Sequence, residues 1–484
     1  MSDGLSKSEL NKKAAVAGAF FVFMQLFVRG ITFILTPIYT RLVSTAQYGE
    51  IRVYESWLLI LVPVLSLSLY RSVERAKYDY PDDFNEYVSS VQTLSYLVIT
   101  GVYVVISVVF RKAFLAFCGI DWLMYLYMIL YTFSYTATMY FQRREKQLLR
   151  YKNSVTVTAS MMIPATVFSI LLLYWGNVTG RQDSLVDLRV IGYYTPQIIG
   201  GIFTAVLMWK QGKFRIKRKY WKYAFVFSLP LIPEAISIQI MNQADKIMIK
   251  SMAGSVDTGI FSLATTVSFI IWILEDAVWG AWLPWFYEKI SRNEIDDVKK
   301  PWYFVSYVFG YISWVLVILA PEIILVLGGN KYQSAIYLVA PMVTGTLFKF
   351  YSYCFTAIEN YEKKTIYCAL GTVSAMIINI VLNAVCIRYI GYQAAAYTTA
   401  LSYFILLTLQ GIMEKKVCGM RCVSLVKMLL IGIGVSLLNI LTMFLFGCPW
   451  YVRFAIVAVT AIGFAVLHKN KIYQVMRIFS KQEV

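Results

Sequence analysis

A single histidine, His468, stands in 484 residues. No Ser/His/Asp or Cys/His set can be assembled around it, which removes the common routes to nucleophilic catalysis. It lies at the end of the last apolar run, among Lys469 and Lys471, where a solvated interfacial residue is expected. The seven cysteines follow no disulfide spacing. Cys418 and Cys422 are four apart in a basic loop, but no histidine or second cysteine pair accompanies them, so no metal is expected. There is no Walker-type glycine loop, and hence no sign that this chain hydrolyses ATP. No cleavable leader is expected either: Met1 to Lys13 is polar and basic, and the first apolar run is too long for a signal core. Charge is scarce. Charged residues make up 15% of the chain, against about 25% in soluble domains.

What remains is apolar. Hydrophobic residues make up 59% of the sequence and the mean hydropathy is +0.61. A soluble protein of this composition would expose too much apolar surface to stay in solution. The reading is an all-α polytopic membrane protein. Apolar runs adequate to cross about 30 Å of hydrocarbon fall at roughly 14–40, 51–70, 87–110, 114–141, 154–175, 189–209, 224–249, 259–284, 302–320, 332–357, 365–387, 393–413, 424–446 and 451–467. Fourteen spans put both ends on one side.

The basic residues choose that side. Of 45 Lys and Arg, 32 lie in the amino terminus, every second loop and the carboxyl tail. Ten lie in the alternate loops, among them Arg52, Arg111, Lys112, Arg189 and Arg453, and three fall inside spans. The positive-inside rule then makes both termini cytoplasmic. The same distribution argues against nucleic acid as the partner of the +18 net charge, because the charge is spread over short loops rather than gathered on one face. The most basic loop, Lys210 to Lys222, reads as a linker that contacts anionic headgroups. The loops on the other side are short, with no room for the catalytic domain of an envelope polymerase or ligase, so an enzyme is not expected.

The chain repeats itself. Gly49 in TAQYGEI matches Gly259 in VDTGIF at an offset of 210. The loop Arg71 to Glu86 matches Tyr287 to Lys300, and FQRREKQLLRYKN matches FTAIENYEKKT. Six helices make the unit, and an even number keeps both copies in the same orientation, a parallel repeat. The expected division is an N-lobe over 1–210, a cytoplasmic linker over 211–223, a C-lobe over 224–413, and two further helices with a tail over 414–484.

The polar residues inside the apolar runs point to a cavity. The stretch Ser228 to Ala264 carries Glu234, Asn242, Gln243, Asp245 and Lys246, with Pro230 and Pro233 near its start. A charge at the bilayer centre costs about 2.5–3.5 kcal/mol even on the mild scale, so this helix should line a polar space, and its prolines allow a bend.

The run PLIPEAISIQIMNQADKIMIKSMAGSVDTGIFSLA resembles the seventh-helix signature of bacterial polysaccharide-repeat flippases, the O-unit and capsule exporters of the multidrug/oligosaccharidyl-lipid/polysaccharide superfamily. FVRGITFILTPIYTRLVSTAQYGEI is similar to that family's amino-terminal signature. The length, fourteen helices and six-helix repeat fit as well. The resemblance implies a cell-membrane protein that moves undecaprenyl-pyrophosphate-linked oligosaccharide from the cytoplasmic to the outer leaflet, two lobes rocking around a central cavity. It implies partners among membrane lipids and in a polysaccharide polymerase and glycosyltransferases, and no cofactor beyond coupling to Na⁺ or H⁺. Rival readings are a lipid II-type flippase, a drug/cation antiporter of the same superfamily, and a scaffold for glycan synthesis. The basic residues within helices and the two extra helices weigh against the antiporter.

A pyrophosphate crossing a low-dielectric region needs cations and hydrogen bonds. The candidates are Arg29, Lys246 and Lys349. Arg offers a planar fork that grips phosphate through two bonds. The bland alternative is that each cation pairs with a buried carboxylate, or that Lys246 snorkels to the interface. The carboxylates are Glu55, Glu234, Asp245, Glu275 and Asp276. Glu234 and Asp245 are three turns apart on one helix face. These groups either couple an ion or balance the cations. Trp272, Glu275, Trp279 and Trp282 fall on one helical stripe. Trp272 and Trp279 either stack on sugar rings or pack between helices, whereas Trp282, Trp285 and Trp302 read as an interfacial belt.

Overall fold

A computed structural model describes residues 30, 33–229, 232–419 and 423–480. Among these residues there is no strand. The chain divides into two compact units, Met1–Ile247 and Met248–Val484.

In the first unit, α1 covers residues 33–42. Ser44 then opens α2 (Thr45–Leu65) through a capping box with Gln47. Pro63 lies in the last turn of α2, and Leu67 and Ser68 both take left-handed backbone angles. The chain therefore turns by 59° before α3 (Val73–Asp79). Next, α4 (Phe84–Val105) continues through a π turn into α5 (Arg111–Cys118). Gly119, at φ 62°, ends this rod, and the Asp121 side chain caps α6 (Trp122–Gln147) by accepting from Met124 N at 2.7 Å. Arg111 and Lys112 thus belong to a helix rather than a loop, and the fourth span starts at residue 122 instead of 114.

α7 (Tyr151–Val178) and α8 (Leu185–Gln211) complete the bundle. A Cβ on Gly192 would lie 2.6 Å from the Ser169 Cα, and one on Gly201 2.5 Å from the Ser134 Cα. These two glycines let α8 press against α7 and α6. The basic segment that follows is tied back to this unit. Lys217 Nζ lies 2.7 Å from Glu86, Arg215 lies 3.0 Å from the same carboxylate, and Trp221 Nε1 donates to Ser90 O at 2.9 Å. Hydrogen bonds to Glu86 and Tyr220 hold the Lys217 ammonium above its ordinary range. Residues 211–223 therefore pack within the first unit, and the contact boundary falls at 247/248 inside the seventh expected span. That span is broken into α9 (Arg218–Ser228) and α10 (Ile232–Met252), which meet at 57°. Pro230 lies in the break, outside the described residues.

The second unit is built around α14 (Ile336–Tyr361), which is buried along most of its length. Packed on it are α11 (Ser255–Ser291), α12 (Asp296–Ile318), α13 (Ala320–Gly328), α15 (Thr365–Ile390) and α16 (Ala394–Met413). The two extra helices are attached by polar contacts. Asn439, on α17 (Leu425–Thr442), donates to Ser313 Oγ at 2.9 Å and to Thr344 Oγ1 at 3.0 Å. At the head of α18 (Trp450–Ser480), Arg453 binds Glu322 and the carbonyls of Leu445, Phe446 and Cys448. Arg453 is 5% exposed and no loop residue. The rest of α18 presents Val459, Ile462 and Val466 outward, as a lipid-facing helix does.

Nine of the described helices are long and apolar enough to cross a membrane, or eleven if each bent pair forms one span. Thirteen of the fourteen expected runs coincide with helices. The first lies mostly outside the described residues. α6 and α14 are 26 residues long, but their tyrosines and threonines leave them less apolar than those nine.

Candidate functional site

Within the first unit, α1, α2, α6, α7 and α8 surround a cavity of about 210 Å³. α2 supplies Arg52 and Glu55 one turn apart, so both side chains leave the same helix face. α8 supplies Arg189, Tyr193 and Tyr194, again at helical spacing, and α6 and α1 add Tyr131 and Tyr39. Glu55 sits at the centre of the charge. Arg52 Nη1 donates to its Oε2 at 2.7 Å, and Arg189 Nη2 to its Oε1 at 3.3 Å. The Arg189 guanidinium also lies 4.0 Å from the Tyr193 ring centre and 4.6 Å from that of Tyr39, so it lies over two aromatic rings. Its side chain is only 6% exposed. Among the described residues, Arg189 Nη1 and the Tyr39 hydroxyl have no hydrogen-bond partner.

α10 extends the site. Gln243 Oε1 accepts from Lys246 Nζ at 2.9 Å and lies 3.0 Å from Ser56 Oγ on α2. Lys246 is within electrostatic reach of Arg52, Glu55 and Asp245. Three cations and two carboxylates thus gather on α2, α8 and α10, leaving a net positive charge. With tyrosines for walls, the site suits a polyanion with polar or sugar attachments.

Several expectations meet this geometry differently. Glu55, Gln243, Asp245 and Lys246 come together. Lys246 is 6% exposed, so it is buried rather than snorkelling. Asn242 is half-buried on the same helix, and Glu234 is half-buried near its start, with Arg71 as its electrostatic neighbour. Arg29 lies outside the described residues, as does Cys422. Lys349 belongs to the second unit, its ammonium 5.3 Å over the Trp272 ring, and acts electrostatically on the fully buried Glu275. Neither Glu275 oxygen has a hydrogen-bond partner among the described residues, while the neighbouring Asp276 is exposed.

The tryptophan stripe divides. Trp279 packs against Trp302 and Tyr353 at 5.7 and 5.2 Å. Trp282 and Trp302 are fully buried and meet at a tilt, ring centres 5.5 Å apart, with Trp285 beside Trp282, so a core cluster replaces the expected interfacial belt. The reason is that α11 and α12 turn these faces toward each other and toward α14. His468 lies half-buried between Phe304 and Phe464, at 5.7 and 4.7 Å, rather than free in solvent. Among the described residues no group of three or more metal-ligating side chains occurs.

The sequence reading missed Arg52 and Arg189 by assigning both to outer loops. Two signals were present: a carboxylate one turn after Arg52, and a tyrosine pair one turn after Arg189.

Comparison with known proteins adds to this geometry. The sequence model of a family described as "Polysaccharide biosynthesis protein" matches residues 16–290. An Lsg locus protein of Haemophilus influenzae is 23% identical over 324 residues, which is 64% of this chain and 77% of its own. Among solved structures, the lipid II flippase MurJ in an inward closed conformation superposes with a TM-score of 0.64 at 15% identity, covering 93% of this chain and 99% of that one. A multidrug resistance MATE family transporter of the MOP superfamily, inward-facing, gives a TM-score of 0.51 at 12% identity over 91% and 97%. At these identities the likeness is one of fold.

Proposed function

This chain belongs to the polysaccharide biosynthesis protein family, and from that premise we propose that it is a flippase for lipid-linked oligosaccharide. Its load is an undecaprenyl-pyrophosphate-linked repeat unit, carried from the cytoplasmic to the outer leaflet of the cell membrane by alternating access. The product serves a surface polysaccharide, and both termini lie in the cytoplasm. Moving Arg52, Arg189 and Arg453 out of the outer-loop tally sharpens the charge bias that supports this orientation.

The observation that carries the reading is the pair of guanidiniums, from α2 and α8, converging in one tyrosine-walled cavity. A diphosphate accepts from both forks at once. About 210 Å³ suits the diphosphate and its first attachments, not a whole glycan, so the sugars extend beyond this site. Lys246 supplies a third cation through a small movement away from Gln243. Asn242 and Gln243 add neutral hydrogen bonds, and Asp245 and Glu234 balance charge along α10. In the second unit, Glu275, with Asp276 and Lys349 nearby, is the candidate for coupling to Na⁺ or H⁺, because a fully buried carboxylate without hydrogen bonds is stabilised by a small cation. Trp272 and Trp279 act there in packing. A net positive cavity disfavours a cationic drug as cargo. Polymerase and glycosyltransferase partners follow from the pathway.

The test is reconstitution. Full-length protein in liposomes should expose a lipid-linked oligosaccharide to an external glycosidase, and Arg189→Ala should slow that exposure by roughly a hundredfold. A lipid-linked sugar lacking the diphosphate should not be moved. Equal rates for the wild type and Arg189→Ala would remove the basis of the proposal. Lipid II offered in the same assay separates the closest rival.

A further inference from the structure

The transported anion is not the first acceptor that Arg52 and Arg189 meet. Glu55 already engages both, through one oxygen each, at 2.7 and 3.3 Å. We propose that Glu55 is a resident counter-anion that competes with the substrate's diphosphate for the two guanidiniums, and so sets the balance between capture and release. This rests on the flippase reading above, since it assigns a role within the same cavity.

Three observations carry it. First, the two cations come from different helices, α2 and α8, and Glu55 touches both. Arg52, Arg189 and Lys246 would otherwise repel one another in a region of low dielectric. Second, the carboxylate spends both its oxygens, yet donors remain. Arg189 Nη1 and the Tyr39 hydroxyl are buried without partners among the described residues, although Tyr39 and Arg189 line the same cavity and Tyr39 lies against the guanidinium. A buried donor without an acceptor is rare and needs a reason. A ligand with more oxygens than a carboxylate supplies one. Third, the Lys246 ammonium donates to Gln243, which Ser56 also contacts from the residue next to Glu55. The third cation is held one hydrogen bond away from the acceptor that a diphosphate would bring.

The physical need is for reversible grip. A diphosphate held by two buried guanidiniums with nothing to replace it would leave slowly, because its departure would strand two unpaired charges. A glutamate on the same helix as Arg52 has the reach to take the vacated forks. It weakens binding and lowers the barrier to release by the same exchange. No new contact with the glycan is required, so this device is indifferent to the sugar.

The experiment uses full-length protein in nanodiscs, with inorganic pyrophosphate as the probe and calorimetry as the readout. Glu55→Gln keeps the shape of the side chain and removes its charge. It should bind pyrophosphate at least about tenfold more tightly than the wild type, the scale of one charge-assisted hydrogen bond. Glu55→Asp retains the charge and should stay near the wild-type affinity, which also guards against a folding defect in the first variant. Arg189→Ala should lose binding in either background. In the liposome assay Glu55→Gln should show a lower half-saturating substrate concentration together with a lower maximal rate. A merely structural glutamate would change neither in that opposed manner. Equal or weaker pyrophosphate binding by Glu55→Gln overturns the proposal, as does an absence of binding in every form. If Glu55→Gln tightens pyrophosphate but no form moves the lipid-linked glycan, the counter-anion stands and the flippase reading fails. If Arg189→Ala stops flipping but Glu55→Gln leaves affinity unchanged, the reverse holds.

Discussion

The two units share a helical plan and differ in what they place on it. α2 and α11 begin one residue after their N-caps, Ser44 and Gly254, which are 210 positions apart. At that offset Arg52 corresponds to Ser262, Glu55 to Thr265 and Ser56 to Thr266. The starts of α8 and α16 differ by 209, which sets Arg189 against Thr398. Where the first unit has a charged triad, the second has hydroxyls: Ser262 Oγ is buried with no hydrogen-bond partner among the described residues, Thr398 bonds Asn383 on α15, and the threonines also bond back to their own helices. Thr265 donates to Phe261 O at 2.9 Å, Thr266 to Ser262 O at 3.0 Å and Thr398 to Ala395 O at 3.0 Å. The scaffold is therefore indifferent to these positions, and the charges of the first unit are not needed to fold such a bundle.

The turns teach the complementary lesson. After α6, Leu149 adopts φ 54° and Arg150 N donates to Glu145 O at 2.8 Å. After α14, Lys363 adopts φ 58° and Lys364 N donates to Glu359 O at 2.8 Å. Both glutamates are buried, with Arg144 and Asn153 as side-chain partners of the first and Cys368 of the second. Repeated backbone geometry with different side-chain partners marks a structural element; a charge present in one copy alone marks a functional one.

The comparison can be broken most sharply by removing one polar group from each unit. Arg189→Ala should lower the flipping rate by roughly a hundredfold, whereas Thr265→Val should leave it within about twofold, since one removes charge-assisted bonds and the other a local back-bond. A comparable loss in both would show that the second unit carries an equal share of the site. Lys246→Met should lower the rate by about tenfold and also lower the melting temperature, because the bond to Gln243 and the electrostatic support of Glu55 and Asp245 are lost together. Asn439→Ala should leave transport intact and cost about 1 kcal/mol of stability in detergent, the typical worth of an interhelical hydrogen bond in a membrane protein. The smallest effects are expected at the turns. Leu149→Gly and Lys363→Gly should each stabilise by about 0.5–1 kcal/mol, read as matching rises in melting temperature, because glycine removes the left-handed penalty in both copies. Opposite signs would contradict the equivalence of the two turns.

Much of this was legible in the sequence. Apolar runs located thirteen helices, since length and composition decide helix formation in a bilayer. The offset near 210 was visible from Gly49 and Gly259. Glu55 and Lys246 were visible because a charge inside an apolar run is conspicuous. Arg52 and Arg189 were not, because each lies near the start of its run, where charge is ordinarily a loop residue. Only the packing of α8 against α6 and α7, through Gly192 and Gly201, reveals that Arg189 points inward. The burial of Trp282 and Trp302 was hidden for the same reason: composition marks a tryptophan near a boundary, and only helix pairing decides whether it meets lipid or its neighbours.

The central claim is tested most directly by photocrosslinking in cells that make the lipid-linked glycan. With a benzophenone amino acid in place of Tyr131, the wild-type background should yield an adduct that carries both lipid and sugar. Adding Arg189→Ala should remove the adduct while leaving the protein in the membrane. An adduct of equal strength in both backgrounds, or none in either, would contradict the assignment of this cavity to the diphosphate.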